Sequence, residues 1–567
     1  MTVADSPWWP RHISPALKAA SVCQEDWSHT TDVVVVGFGG AGVCAALQAR
    51  ELGLEVLVLE RGEGGGATRI NGGVFYSGGG TATQRQAGVE DDPDNMFNYL
   101  RQETQGVVSD DTLRTFCNNS AGDHDWLASH GVKFNPHLYA KKTSYPPTKY
   151  YLYHSDSSLA QSYGRNARPA ARGHRVHMPA ENKADGYGKG FYDPLRDSAL
   201  GAGVEVHTHA LVRSLILDDQ GRAVGVRATR LAPAAPGWRR YVKLNQRIAL
   251  NAGIPQSVPG ARARERLVEK LRDQVVALLD AEGELLKVRA RRGVILAAGG
   301  HVFNREMVRH FSPAYARGLP LGTPADDGSG LALGLTAGAA SAGLGRISAW
   351  RFINPPYTWA SAPLVNGRGE RFVDETLYGA AIGKAMCEAG DGSAYVILDR
   401  RLMKQARKEA AAEGVLPFQK WPALMAMRLG RKKAGSLAGL ARKIGADAST
   451  LVGSVETHNA VAQGRMADPF DKRPADAARV EQGPFYAVNV AIDAAFFPLP
   501  TLSLGGLAVR EETGQVLDQQ GVPIAGLYAA GRSAIGVCSN LYVSGLAVAD
   551  CVFSGRRAAR SVAAAGS

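Results

Sequence analysis

Cysteine is scarce and scattered in this chain: Cys23, Cys44, Cys117, Cys387, Cys538 and Cys551 share no paired metal-ligand spacing. That pattern speaks against a zinc ribbon, an iron–sulfur ligand run or a disulfide framework, and it fits reduced buried thiols in a cytosolic protein. Long hydrophobic runs are also lacking. Apolar stretches are too short or too broken by glycine to span a bilayer, and Met1–Pro10 carries Asp5 and two tryptophans where a secretory leader would be cationic. A soluble cytoplasmic protein is expected, with peripheral membrane contact left open. The net charge of +12 is spread along the chain without a zinc-finger, RNP-type or basic-zipper pattern, so nucleic acid is not an expected partner. No repeat of solenoid or propeller period occurs. His154, His174 and His177 lie among tyrosines and arginines without ligand spacing, so no metal is expected.

Glycine, by contrast, is abundant at 66 residues, and its placement carries the first signal. Asp32–Val36 is a β-branched run without alternation, as in a strand covered on both faces of a parallel sheet. Gly37-Phe38-Gly39-Gly40-Ala41-Gly42 follows at once, then a helix over Val43–Leu52 and a second buried strand over Leu54–Glu60. Gly37, Gly39 and Gly42 let the turn tighten and bring backbone amides and a helix N-terminus to a pyrophosphate, while Glu60 ends the second strand where a ribose needs an acceptor. A second glycine-rich stretch, Glu63–Thr81, favours FAD over a nicotinamide, because a flavin needs backbone close to its ring as well. Gly526–Gly531 supplies another strand and turn for the cofactor's far end.

Organisation follows from pattern changes along the chain. Val204–Arg230 reads as short strands and a hairpin, Leu231 to about Gly260 as a polar, proline-bearing stretch, and Ala263–Asp280 as an amphipathic helix. That helix has an apolar face that either docks on the body or serves as an interfacial or partner-binding insertion. Gly293–Gly300 closes on another buried strand, and Gly545–Ala565 is a terminal helix. The expected fold is α/β with an α+β cap. A Rossmann-type FAD-binding domain with a parallel central sheet takes residues 28–346 and 483–567, with an insertion at about 231–290. An inserted substrate or capping domain takes residues 347–482; it is irregular and helical, with several tryptophans and a basic run at Arg428–Lys433.

VVVVGFGGAG, GGATRINGGVFYSGGGT, GTPADDGSGLALGLTAGA, GERFVDE and GLYAAGR through FSGRRAA together resemble the fumarate reductase and 3-ketosteroid dehydrogenase group of flavoproteins over most of the chain. The resemblance implies bound FAD and hydride exchange between flavin N5 and a substrate carbon. It carries cofactor contacts to Gly37, Gly39, Gly40, Ala41, Gly42, Glu60, Arg61, Ala67, Thr68, Gly72, Gly73, Leu211, Val212, Ala298, Gly299, Asp327, Gly531, Arg532 and Leu546. Covalent attachment through histidine is not expected, since Ile70–Thr81 contains none.

Fumarate reductases carry a late arginine that clamps a carboxylate, and here the corresponding segment is Ser539-Asn540-Leu541-Tyr542-Val543-Ser544-Gly545, without it. Tyr-x-Ser-Gly resembles the 3-ketosteroid 4-dehydrogenases, as do Tyr150–Ser155, Arg168–His174 and Asn354–Tyr357. The 1-dehydrogenases typically have glycine or proline where Ser544 stands. The resemblance implies a steroid substrate losing a proton at C4 and a hydride at C5, with an external electron acceptor the sequence does not identify. Tyr542 and Ser544 take the two jobs of polarising the 3-keto oxygen and abstracting the proton, in an order the sequence leaves open. Tyr357 is the expected third hydroxyl, with Tyr378 behind it, and Gly505 and Gly506 offer amides to the oxyanion. Bland readings stand beside these: Tyr542 as a packed aromatic, Ser544 as a helix cap, Tyr357 as loop filling, and Arg371 as an ion-pair partner of Asp374 or Glu375 in place of a catalytic acid. Another ketosteroid dehydrogenase or enone reductase, or an electron-transfer subunit of fumarate-reductase type docking through the 231–280 insertion, are the alternatives.

Overall fold

The computed structural model describes residues 6–19, 26–177, 187–254 and 260–565; Cys23 lies outside them. The valine run forms the middle of a five-strand parallel layer ordered Pro523–Ala529, Glu284–Leu296, His29–Val36, Val56–Leu59 and Glu205–His207. Val33, Val34 and Val35 are fully buried because the layer is covered on both faces, by helices Gly40–Glu51 and Leu546–Ala564 on one side and by an antiparallel layer on the other. The fingerprint helix begins at Gly40, three residues before the expected Val43, since the last glycines of the motif form its first turn.

The expected strand across Val204–Val212 breaks at His209, whose φ of 55° turns the chain out of the parallel layer. Glu205–His207 stays in that layer, and Ala210–Leu217 starts the antiparallel one with Ala223–Arg230. Glu284–Leu296 serves both layers: its first half pairs with Ala223–Arg230, a register shift between Ala290 and Gly293 redirects it, and its end joins the parallel layer. Only that second half was legible as a strand.

The stretch after Leu231 is not a loop throughout. Trp238–Ala252 is a helix, with Tyr241, Leu244 and Ile248 on one face. That face packs against Val268, Leu271, Leu278 and Leu279 of helix Ala261–Glu282, and Leu211 and Leu231 complete the contact. The apolar face of the amphipathic helix is thereby buried, chiefly against its neighbour helix within the insertion and against Leu211 of the body. Among the described residues no helix is long and apolar enough to cross a membrane.

The cap is built on a four-stranded antiparallel sheet, Leu364–Val365, Tyr395–Leu398, Phe485–Asn489 and Arg431–Ala434. Its apolar core includes Val488, Val490, Ile492, Phe497 and Leu499. Residues 483–499, expected in the dinucleotide-binding domain, therefore pack with the cap. Ile347–Ala349 pairs with Pro500–Ser503, which in turn pairs with Leu319–Pro320, and this small sheet carries the cap on the body.

Candidate active site

A cavity of about 740 Å³ runs from the fingerprint turn to the base of the cap. Gly37, Gly39, Gly40, Ala41, Glu60, Arg61, Ala67, Thr68, Gly72, Leu211, Val212, Ala298, Gly299 and Arg532, all anticipated, line it. Gly42 supports the turn from beneath: a Cβ there would lie 1.9 Å from the Gly37 carbonyl oxygen, so any larger residue forces the turn open. Gly73, Gly531 and Leu546 sit one position off the lining; Gly72, Ala530, Arg532 and Ala547 face it in their place.

Asp327, expected at the cofactor, does not line this cavity; it pairs with Arg61 at 2.8 Å and accepts from Ser329 N at 3.1 Å. Burial, the largest single influence, disfavours its charge, but Arg61, His12, Arg272 and the Ser329 bond together outweigh it and hold the carboxyl well below the usual carboxylate range. Its neighbour Asp326 is the acid at the lining; it accepts from Gly300 N at 3.0 Å and pairs with Arg532 at 2.8 Å.

A flavin dinucleotide fits this half of the site. The Glu60 carboxylate is held by Phe38 N at 2.8 Å and Gly62 N at 2.7 Å at the strand end where a ribose would lie. Arg532 has a buried Nη1 with no partner in the protein, a donor suited to an anionic or carbonyl oxygen of the cofactor. Arg532→Leu removes that donor and leaves Asp326 buried without its ion pair. The variant should retain FAD about 10–100-fold less tightly, read as flavin fluorescence released on dilution.

The other half of the cavity is formed by Ser144, Tyr145, Tyr187, Trp350, Phe352, Leu416, Pro417, Phe418, Leu502, Tyr542 and Ser544. None of these is charged. The cavity's charged groups, Glu60, Arg61, Asp326 and Arg532, all belong to the cofactor half. Arg175 shapes this wall from behind: fully buried, it lies over the rings of Tyr145, Tyr151 and Tyr187 and donates to the carbonyls of Pro146, Pro147 and Thr148.

Tyr542 and Ser544 stand on the tight segment that leads into the terminal helix. Ser544 N donates to Ser155 O at 3.1 Å, and Tyr76 N donates to Gly545 O at 3.2 Å, which clamps the segment from both sides. Gly545 has φ of 90°, and a Cβ there would meet Tyr76 N at 2.6 Å, so the turn demands glycine. The Tyr542 ring stacks on Trp350 with centroids 4.6 Å apart, and Gly545 N points at its phenol oxygen from 3.4 Å. Tyr153 donates to Ser544 Oγ at 3.2 Å, and the Tyr378 phenol lies near enough to Ser544 for the two hydroxyls to interact. Burial pushes the phenols of Tyr542, Tyr153 and Tyr378 above the ordinary tyrosine range.

Tyr357, expected as the third hydroxyl, is not brought to this cluster. Its hydroxyl bonds that of Tyr139, and it does not line the cavity. Tyr378 does not line the cavity either, but its phenol lies beside Ser544, and its backbone N donates to Ser157 Oγ at 2.9 Å. Gly505 and Gly506 pack against the backbones of Gly343 and Ser533 and do not line the cavity. Arg371 is bound by Glu375 and Asp468, as an ion-pair residue. Tyr153 and Trp350 were missed; the aromatic density of Trp350–Trp359 was the available signal for the second. His29, Glu205 and His207 bring possible ligand atoms within 4.8 Å of one another, outside the cavity, where Glu205 bonds His207 at 2.8 Å.

Behind the Tyr542–Ser544 segment, Asn540 Nδ2 donates to the backbone oxygen of Glu103, whose side chain is bonded by Tyr99. Burial pushes the Glu103 carboxyl up to about 8. From the ordinary carboxylate range to about 8 the folded chain holds a proton that the unfolded chain has released, so stability falls as pH rises through that window. Glu103→Gln lacks this titration, and its melting temperature should fall less than the native protein's between about pH 5 and about pH 8.

The sequence profile described as the FAD binding domain matches residues 32–542. A 3-oxo-5-alpha-steroid 4-dehydrogenase of Comamonas testosteroni is 37% identical over 92% of this chain and 96% of its own. A 3-oxosteroid 1-dehydrogenase of Mycolicibacterium smegmatis is 26% identical over 90% of this chain and 93% of its own. The crystal structure of a 3-ketosteroid-delta4-(5alpha)-dehydrogenase of Rhodococcus jostii RHA1, in complex with 4-androstene-3,17-dione, superposes with a TM-score of 0.79 at 28% identity, covering 97% of this chain and 100% of that one. With the glycine cradle, the ribose acceptor and the orphaned arginine donor in place, the chain belongs to the family of FAD-binding oxidoreductases that includes the 3-oxosteroid 4-dehydrogenases.

Proposed function

We propose that this enzyme dehydrogenates a 3-ketosteroid with a saturated A ring, introducing the C4–C5 double bond. The observation that carries the reading is the uncharged substrate half of the cavity, walled by aromatic and aliphatic side chains with Tyr542 and Ser544 as neighbouring hydroxyls. A dicarboxylate would leave its charges unpaired there; a rigid apolar ketone needs no more than hydroxyl donors at one end. The names of the relatives support the same substrate class. FAD, held non-covalently, supplies the two-electron acceptor for the C5 hydride.

The chain's own residues handle the carbonyl and the proton. The amide of Gly545 faces the Tyr542 oxygen, which leaves the phenol proton free to point at the 3-keto oxygen and stabilise the enolate that develops there. Ser544 Oγ accepts from Tyr153 and has Tyr378 beside it, so it takes the C4 proton while its own passes to these hydroxyls, each of which releases one proton as it takes another, with bulk water as the final acceptor. Because burial keeps Tyr378 and Tyr153 protonated, they act as relays and not as stores of negative charge.

The test is product identity. With an artificial electron acceptor, a 5α-saturated 3-ketosteroid should give a product two hydrogens lighter and unsaturated at C4, while fumarate with a reduced donor should give no succinate. A product unsaturated at C1, or turnover of fumarate alone, would discard the assignment.

A further inference from the structure

Helix Pro417–Arg428 at the rim of the cavity turns a row of large apolar side chains to the outside. Its buried face is Ala423, Ala426 and Met427. On the opposite face Phe418 is 58% exposed, Trp421 60% and Met425 38%, and Leu429, just past the helix, is 54% exposed. With 100° per residue these positions fall within one arc of about 80°, so the four make a single stripe. Isolated exposed apolar residues are ordinary, whereas a contiguous bulky stripe marks a surface that meets something apolar.

Along the chain the stripe is flanked by charge of one sign. From residue 414 to residue 446 the chain has no aspartate or glutamate, while Lys420, Arg428, Arg431, Lys432, Lys433, Arg442 and Lys443 all fall in that span. Arg428, Lys432 and Lys433 are exposed beside the stripe, and the Lys420 ammonium lies 5.7 Å from the Trp421 ring. The helix also opens on the substrate site: Leu416, Pro417 and Phe418 line the cavity, and Phe418 meets Tyr145 edge-on at 5.6 Å.

We propose that this rim is a docking surface for an anionic phospholipid membrane, into which Trp421, Met425 and Leu429 insert while the flanking lysines and arginines meet the headgroups. Docked in this way, the cavity mouth faces the bilayer, and an apolar substrate enters past Phe418 without crossing water. The identity of the cargo rests on the ketosteroid reading, but the binding of lipid does not. The surface lies on the cap and not on the 231–280 insertion, whose apolar face is buried.

Vesicle sedimentation of the FAD-loaded full chain without steroid tests this. The protein should sediment with vesicles of phosphatidylcholine mixed with phosphatidylglycerol, stay in solution with phosphatidylcholine alone, and be released by salt. The triple variant Trp421→Ser, Met425→Ser, Leu429→Ser should lose binding about ten-fold or more, with its flavin spectrum and its turnover of lipid-free dispersed substrate unchanged. Lys432→Glu with Lys433→Glu should lose at least about ten-fold at low salt. Wild-type protein left in solution with anionic vesicles, or a triple variant that sediments as well as wild type, would overturn the proposal. So would a wild-type dimer that the triple variant converts to monomer, because the stripe would then join two copies of the chain.

Discussion

Replacing Tyr542 by phenylalanine should lower kcat about 10²–10³-fold, the cost of removing one aimed donor from a developing oxyanion. The ring keeps its stack on Trp350, and among the described residues the phenol's one hydrogen-bond partner is Gly545 N, at a long 3.4 Å, so the fold and FAD content should be unchanged. The loss should fall mainly on kcat, because the enolate carries more charge on oxygen than the bound ketone does. Steady-state kinetics together with the flavin absorbance of the purified variant check both parts. Near-normal kcat would reduce Tyr542 to the packed aromatic of the bland reading.

The second large effect is expected at Ser544→Ala, about 10²–10⁴-fold in kcat from loss of the group that takes the proton. Its backbone contacts with Ser155 do not involve its own hydroxyl, so the turn before the terminal helix should persist. A helix-capping role would give a different result, namely a lowered melting temperature with little change in rate. The helix shows no side-chain cap from Ser544, and its N-cap residue is Gly545. Solvent exchange of the C4 hydrogens separates proton removal from hydride transfer: Ser544→Ala should stop exchange into deuterated buffer, as should Tyr542→Phe, whereas a variant impaired only in accepting hydride would still exchange.

What was legible in the sequence was what periodicity and tight turns encode locally. The valine run, the glycine fingerprint and Glu60 each announce their role within a few residues, because strand burial, turn geometry and helix N-terminus all act over short range. The Tyr-x-Ser-Gly segment was legible only through its resemblance to the 3-ketosteroid 4-dehydrogenases, and it lies against the cavity.

The rest depended on contacts far apart in the chain. Tyr357 and Tyr378 are both near the cap's entry segment, and their partners lie far off in the chain: the Tyr378 amide bonds Ser157, more than 200 residues away, while the Tyr357 hydroxyl bonds Tyr139. Asp326 and Asp327 are adjacent in sequence yet face opposite ways, one toward Arg532 at the lining and one toward Arg61. The helix Trp238–Ala252 was hidden because only a narrow stripe of it is apolar, and that stripe gains its meaning from the helix packed against it. Strand Phe485–Asn489 closes the cap's sheet from beyond the expected boundary, a pairing no local pattern announces.

The most direct measurement of the central claim is anaerobic mixing of the FAD-loaded protein with one equivalent of a 5α-saturated 3-ketosteroid, following the long-wavelength flavin band. The account predicts that the band bleaches in a single phase with no other protein present, and about 10²–10³-fold more slowly in Tyr542→Phe. A band that stays oxidised with a panel of 3-ketosteroids, yet bleaches with a reduced electron-transfer partner, would contradict it.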